Sequence, residues 1–516
     1  MYINSKILFR KYFLNIFIIF FFLLLISIQS FYLTNVIINH SFLEGKNSDL
    51  LYSFYLLDDL KHNFLNISNW HLTPAPYFFP DIFLVYIINS GDIFSSLYFY
   101  SFIIALIYIY LLRKFYLSLG FNQKKSLILS TFSYFFISFL FSFYQGLSYF
   151  FFPTYHSSIY IYGLFLFIFR KNNLLSIIII ISFLYGLSDA GTFTQSILPI
   201  YLYCLFESGF KNLIQYKNLI MGMSFFFLGN YIQNLLVNYK ILIIPDAPIV
   251  KTFKFIIKNN LIFPNLIHSY REFLQEAMNY KLYYFFVLLF ILICIYQIKF
   301  IKNQKIKPIF FSFIIISVFM YFFQGVFGLW IGYRYMWFFY LIPVIFLLYI
   351  LNEKYEILNQ KNIIFFILIF LFIQYYNLKS VLEKNYNIYN DSSKILTSFP
   401  DYNSQIHRRW IPDYIHCLFE LKYKFQIEYG MTDYWNSKYI NYFSRNSIFT
   451  NQFTENLEPY LWINNSAYFS NKKYNFIIPS RLNPEAILKN YGIPDIKEKC
   501  DSDEIWIYKN YFYYKN

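Results

Sequence analysis

"FLNIFIIFFFLLLISIQSFYL" (residues 13–33) runs for 21 residues without a charged side chain. At about 1.5 Å of rise per residue, a helix of that length crosses the roughly 30 Å hydrocarbon core of a bilayer. The stretch is too long for the apolar part of a signal peptide and lacks its small-residue cleavage site, so it reads as a retained membrane helix. The composition agrees: 58% of the chain is hydrophobic and 14% charged, against about 25% charged in an ordinary soluble domain. A second uncharged run, "LYYFFVLLFILICIYQI" (282–298), has the same character.

Apolar runs of sufficient length predict eleven spans, at about 12–34, 93–112, 126–147, 148–169, 174–188, 191–206, 218–238, 282–298, 308–327, 331–351 and 363–378. The net charge of +15 is not spread evenly. Lysine and arginine gather in "KILFRK" (6–11), 113–114, 124–125, 170–171 and "KFIKNQKIK" (299–307). With a cytoplasmic amino terminus, alternation across the spans puts all of these on the cytoplasmic side, as the positive-inside rule requires. That placement argues against nucleic acid as a partner. The expected fold is a mainly α-helical integral membrane protein of about eleven transmembrane helices (1–378), with a long first external loop (35–92) and a small external α+β domain (379–516). In the tail, "HRRWIPDYIHCLFELKYKF" (407–425) reads as an amphipathic helix, and 474–480 and 504–514 read as strands. Cys417 and Cys500 both fall in the tail, where a disulfide would survive, but spacing alone does not show that they meet. Cys204 and Cys294 lie in predicted spans as packing residues.

Polar chemistry gathers on the external side. The first loop holds Glu44, Asp49, Asp58, Asp59, His62, His71 and Asp81. In "SDLLYSFYLLDDL" (48–60), Leu50, Phe54 and Leu57 share a helical face, so Asp49 is expected to cap a short amphipathic helix lying on the membrane surface. In "NWHLTPAPYFFPD" (69–81), Pro74, Pro76 and Pro80 forbid continuous helix and impose a stiff extended path that ends where Asp81 begins the next helix. Trp70, His71, Tyr77 and Phe78 on that path suit a cavity wall as well as a loop crossing the headgroups. His156 and Asp189 sit at outer span ends, where polar groups turn toward protein or a water-filled cavity. Arg334, in "GYRYMWFFYLIP" (332–343), suits either a phosphate or the headgroups. Trp435 and Asn436, with Trp462, Asn464 and Asn465, fit a sugar surface or a packed core.

These features resemble the polytopic membrane glycosyltransferases of the GT-C class, which combine an acid in a large first external loop, further spans and an external carboxyl-terminal domain. In "SDLLYSFYLLDDL", "WHLTPAPYFFPD", "CLFELKYKFQIEYGMTDYWNSKYINYFSR" (417–445) and "PYLWINN" (459–465) the chain is also similar, over nearly its whole length, to a poorly characterised bacterial family of predicted membrane glycosyltransferases or hypothetical membrane proteins. The GT-C resemblance implies an inner-membrane enzyme that moves a sugar from a polyprenyl-phosphate donor to a glycan, lipid or protein acceptor on the external face. Asp49 matches the first-loop acid that acts as base, with Asp58 or Asp59 as substitutes, and Arg334 matches the arginine that holds lipid phosphate. The remaining substrate-side candidates are Trp70, His71, Asp81, His156, Asp189, Trp435 and Asn436. A divalent metal (Mg or Mn) is compatible with the acids, but no ligand set is spaced to assign one. A lipid or oligosaccharide flippase would need similar external groups, together with internal repeats that the two halves do not show. A non-catalytic membrane scaffold whose tail binds a partner is the other alternative, although it has no need for several acids and His71 in one loop.

Overall fold

The computed structural model describes residues 2–43, 45–62, 64–88, 92–142, 149–170, 174–208, 216–245, 255–279, 337–355, 362–376, 411–470 and 473–514, with a few isolated positions besides. Most of the predicted spans at 282–298 and 308–327, together with Cys294 and Arg334, lies outside the described residues.

The apolar runs become helices α1 (Tyr2–Ile38), α2 (Ser48–His62), α3 (Phe83–Ile88), α4 (Ile93–Ser118), α5 (Gln123–Ser142), α6 (Ser157–Phe169), α7 (Leu175–Ser188), α8 (Leu198–Ser208), α9 (Lys217–Asn238), α10 (Ile262–Asn279), α11 (Trp337–Tyr355) and α12 (Asn362–Tyr376). Among the described residues, four helical stretches are long and apolar enough to cross a membrane: Phe20–Phe42, Ile93–Ser118, Gln123–Ser142 and Lys217–Asn238. Shorter apolar helices, α6, α7 and α12 among them, accompany these four. The molecule is a multi-pass membrane protein.

The predicted span at 148–169 is shortened to α6. Pro153 lacks an amide donor, and Thr154 and His156 hold left-handed backbone (φ 70° and 60°), so the run turns before it can wind. Asp189 and Ala190 interrupt the apolar run between α7 and the helical turns that lead into α8.

Helices α7 and α9 cross at two glycines. A Cβ on Gly186 would stand 2.1 Å from the carbonyl oxygen of Phe226, and one on Gly229 would stand 2.3 Å from that of Phe183. The missing side chains let the two backbones touch, as small residues do in membrane helix pairs.

The tail folds as expected in kind. Helix α13 (Asp413–Phe425) is followed by β2 (Tyr429–Thr432), α14 (Tyr434–Ser444), β3 (Phe449–Gln452), β5 (Lys473–Ile477), α15 (Pro484–Tyr491), β6 (Ile496–Cys500) and β7 (Asp503–Tyr513). The five strands order as β3-β2-β5-β7-β6, with β2 parallel to both neighbours and β7 antiparallel to both of its own. Asp433 caps α14 by accepting from the amides of Trp435 and Asn436, and Asn483 caps α15 with Pro484 behind it. Cys417 and Cys500 are bonded, tying α13 to the end of β6.

Helix α2 departs from expectation. Leu50, Phe54 and Leu57 are buried, but so are Leu51, Tyr52, Tyr55 and Leu56, so the helix is enclosed and does not lie on a surface. Its second cover is the tail: Phe54 meets Tyr442 edge-on, Asn441 donates to the Tyr55 hydroxyl at 3.2 Å, and Ser48 Oγ donates to the Tyr434 carbonyl at 3.0 Å. Nor does Asp49 cap α2. Asn47 does, its Oδ1 accepting from the Leu50 amide at 3.1 Å.

The glycine crossing makes a prediction. Gly186→Ala forces a methyl into the backbone of α9 and lowers stability by roughly 1–3 kcal/mol. Ser224→Ala, on the exposed face of the same α9, stays within about 0.5 kcal/mol. Unfolding in detergent measures both.

Candidate functional site

The proline-rich stretch is held at both backbone edges. Trp70 and His71 form β1, which pairs antiparallel with β4 (Asn464–Asn465) in the register Trp70 to Asn465 and His71 to Asn464. On the other side His71 bridges to Ile243, and the Leu72 amide donates to the Ile243 carbonyl at 2.8 Å. Beyond the strand, Ser188 at the end of α7 receives the Tyr77 amide on its carbonyl (3.3 Å) and the Phe79 amide on its hydroxyl (2.8 Å). The prolines therefore fall where the chain leaves one set of backbone partners for another, and Asp81 lies inside the wide turn Phe78–Ile82 rather than at its start.

Two buried carboxylates organise the ground beneath. Asp81 Oδ1 accepts from the Tyr100 hydroxyl at 2.7 Å, and Oδ2 accepts from the Thr154 amide at 2.8 Å. Burial pushes its carboxyl up to about 6, against the pull of those two donors. Asp189 Oδ2 lies 2.5 Å from His156 Nδ1, and its Oδ1 accepts from the Gly191 amide at 2.8 Å. The other imidazole nitrogen, Nε2, is 2.7 Å from the Tyr77 hydroxyl. A proton on Nδ1 satisfies both contacts: Nδ1–H donates to the carboxylate and Nε2 accepts from the phenol. Tyr77, Thr154 and His156, all part of this cluster, each have left-handed backbone.

Asp49 stands above, where bundle, first loop and tail meet. It is half-buried, its Oδ1 accepts from the Tyr434 hydroxyl at 2.5 Å, and its own carbonyl accepts from the Thr154 hydroxyl at 3.1 Å. Asn47 beside it donates to the hydroxyls of Tyr149 (2.8 Å) and Tyr155 (2.7 Å). From the tail, the wholly buried Lys438 places its ammonium 3.9 Å from the centre of the Tyr434 ring and donates to Gln452 Oε1 at 3.0 Å. Burial holds this amine well below the usual lysine range, with Asp49 opposing the shift.

The other candidates have different surroundings. Asp59 Oδ2 accepts from the indole of the fully buried Trp70 (2.6 Å) and from the Asn465 amide (2.9 Å), which joins α2, β1 and β4. Asp58 is exposed beside Lys61 at 3.5 Å. His71 is half-buried, and burial lowers its pKa. Asn436 is buried with its amide on Asp433 at 2.7 Å, whereas Trp435 is partly exposed under the Arg481 guanidinium, 5.6 Å from the ring centre. Thus Asp49 is not grouped with Asp58, and Asp81, His156 and Asp189 form one cluster beneath it. Among the described residues no three His, Cys, Asp or Glu side chains converge as a metal site. Sequence reasoning did not single out Tyr434, Lys438 or Thr154. Only the left-handed backbone at Thr154 distinguishes it, and that is invisible in the letters.

Two adjoining apolar cavities run along the same end of the bundle, of about 760 and 360 Å³. They share Phe78, Phe83, Leu236 and Leu242. Leu56, Leu57, Leu60 and Lys61 of α2 line the larger one.

Fold and site together define a multi-pass membrane protein with a polar centre where the helix ends meet a folded tail. No protein-family model and no curated protein matches the chain. Among solved structures it is similar to the Archaeoglobus fulgidus oligosaccharyltransferase, in a crystal structure with zinc and sulfate, at 12% identity and a TM-score of 0.34; the alignment covers 87% of this chain and 67% of that one.

The neighbouring aspartates separate in a stability measurement. Asp59→Ala strands the buried Trp70 indole N–H and the Asn465 amide and costs about 1–3 kcal/mol. Asp58→Ala costs less than about 0.5 kcal/mol.

Proposed function

We propose that the chain is a membrane glycosyltransferase that moves a sugar from a polyprenyl-phosphate donor to an acceptor hydroxyl, with Asp49 as the base. The observation that carries this reading is the setting of Asp49: a half-exposed carboxylate at the three-way junction, oriented by a phenol from the tail. Asp81 and Asp189 are buried on internal donors, Asp59 joins two strands to α2, and Asp58 sits outside the junction.

The cavities support a lipid-linked donor, since their walls are almost wholly apolar and offer room for an isoprenoid chain. Leu56 follows Asp49 by seven residues, roughly 10 Å along a helix. A chain seated against Leu56 and Leu57 thus carries its phosphate and sugar toward Asp49. In the reaction the acceptor oxygen attacks the anomeric carbon as Asp49 takes its proton, and the bond from that carbon to the phosphate oxygen breaks, leaving the electron pair on the lipid phosphate. Arg334 is the residue that the family resemblance assigns to neutralise that phosphate. The Cys417–Cys500 bridge supports placing the tail in an oxidising, extracytoplasmic compartment.

The test uses labelled decaprenyl-phosphate-linked hexoses in detergent micelles and follows hydrolytic sugar release, with water as the acceptor hydroxyl that Asp49 deprotonates. Asp49→Asn is expected to lower turnover by roughly 10²-fold or more, with the unfolding midpoint unchanged. Asp58→Asn is expected to remain within twofold of the parent. Full turnover by Asp49→Asn removes it as the base.

A further inference from the structure

The cluster of Asp81, His156, Asp189 and Tyr77 draws together two buried acids and a buried histidine. Three of these contacts converge on one short loop, Thr154–His156. Asp81 takes the Thr154 amide, and Asp189 and Tyr77 hold the ring of His156 from its two sides. Between them Tyr155 stacks on Tyr149 at 4.1 Å and receives the Asn47 amide on its hydroxyl. What the loop presents upward is the Thr154 hydroxyl, donated to the peptide carbonyl of Asp49.

Thr154 is an unfavourable residue for this position. Its φ of 70° puts a β-branched side chain in the left-handed region, where the Cβ and the flanking backbone crowd. Glycine would adopt the same backbone without that conflict. A strained conformation persists only where its surroundings over-determine it, and here the hydroxyl has a specific use.

We propose that Thr154 is a positioning residue for Asp49: its side chain fixes the first turn of α2 by the Asp49 carbonyl, and the buried acids and histidine exist to hold the loop that carries it. The inference rests on Asp49 being the base. It changes the role of Asp81, His156 and Asp189 from substrate contacts to the foundation of the catalytic helix.

The test compares Thr154→Gly, Thr154→Ser and Asp49→Asn in the intact protein. Glycine relieves the strain and deletes the hydroxyl, so the unfolding midpoint is expected to hold or rise. At the same time amide hydrogen exchange in the first turn of α2 (48–51) quickens at least tenfold, and kcat for sugar release from decaprenyl-phosphate hexoses falls about tenfold with KM within twofold. Serine keeps the hydroxyl and is expected to retain both the protection and kcat. A merely structural Thr154 would give a glycine variant with parental exchange and parental kcat, and that result overturns the proposal even if Asp49→Asn is inactive. If Asp49→Asn keeps full turnover, the base assignment itself fails and the positioning role falls with it.

Discussion

A carboxylate taken out of water must be given donors, and in this protein that requirement ties distant segments together. Asp81 draws its donors from α4 and from the loop before α6. Asp59 draws its donors from β1 and β4, the second of them 406 residues away. Asp189 reaches through His156 to the proline-rich stretch. Because each acid is satisfied by a different part of the chain, the loops are tied to one another, to the bundle and to the tail.

That arrangement explains how Asp49 comes to differ from its neighbours. Every other first-loop acid described above is either consumed by internal hydrogen bonds or left at the surface beside a lysine. Asp49 is held at an intermediate depth, with bundle contacts through its backbone and a tail contact through its side chain. The larger apolar hollow lies against the other end of the same helix, so α2 has a polar junction at its start and a greasy wall at its end.

Much of the scaffold is legible in the letters. The uncharged runs mark α1, α4, α5 and α9, because twenty apolar residues in succession have few other destinations. The alternating segments near the carboxyl end mark β5 and β7. What the sequence hides is anything settled by a partner far along the chain. "SDLLYSFYLLDDL" shows one apolar face, but Leu51, Tyr52 and Tyr55 are also buried, because the tail covers the other side. Asp49 looks like a cap, and only the neighbouring Asn47 amide in three dimensions shows otherwise. His156 and Asp189 stand beside the ends of α6 and α7, but a histidine flanked by a carboxylate and a phenol reads the same in sequence as one facing a ligand.

The contact between Asp49 and Tyr434 spans 385 positions. Helix α2 is therefore made, and inserted beside the bundle, long before the phenol that orients its acid has been synthesised. During most of translation the junction lacks its tail-side wall. A half-made chain therefore carries the Asp49 carboxylate without the phenol that orients it.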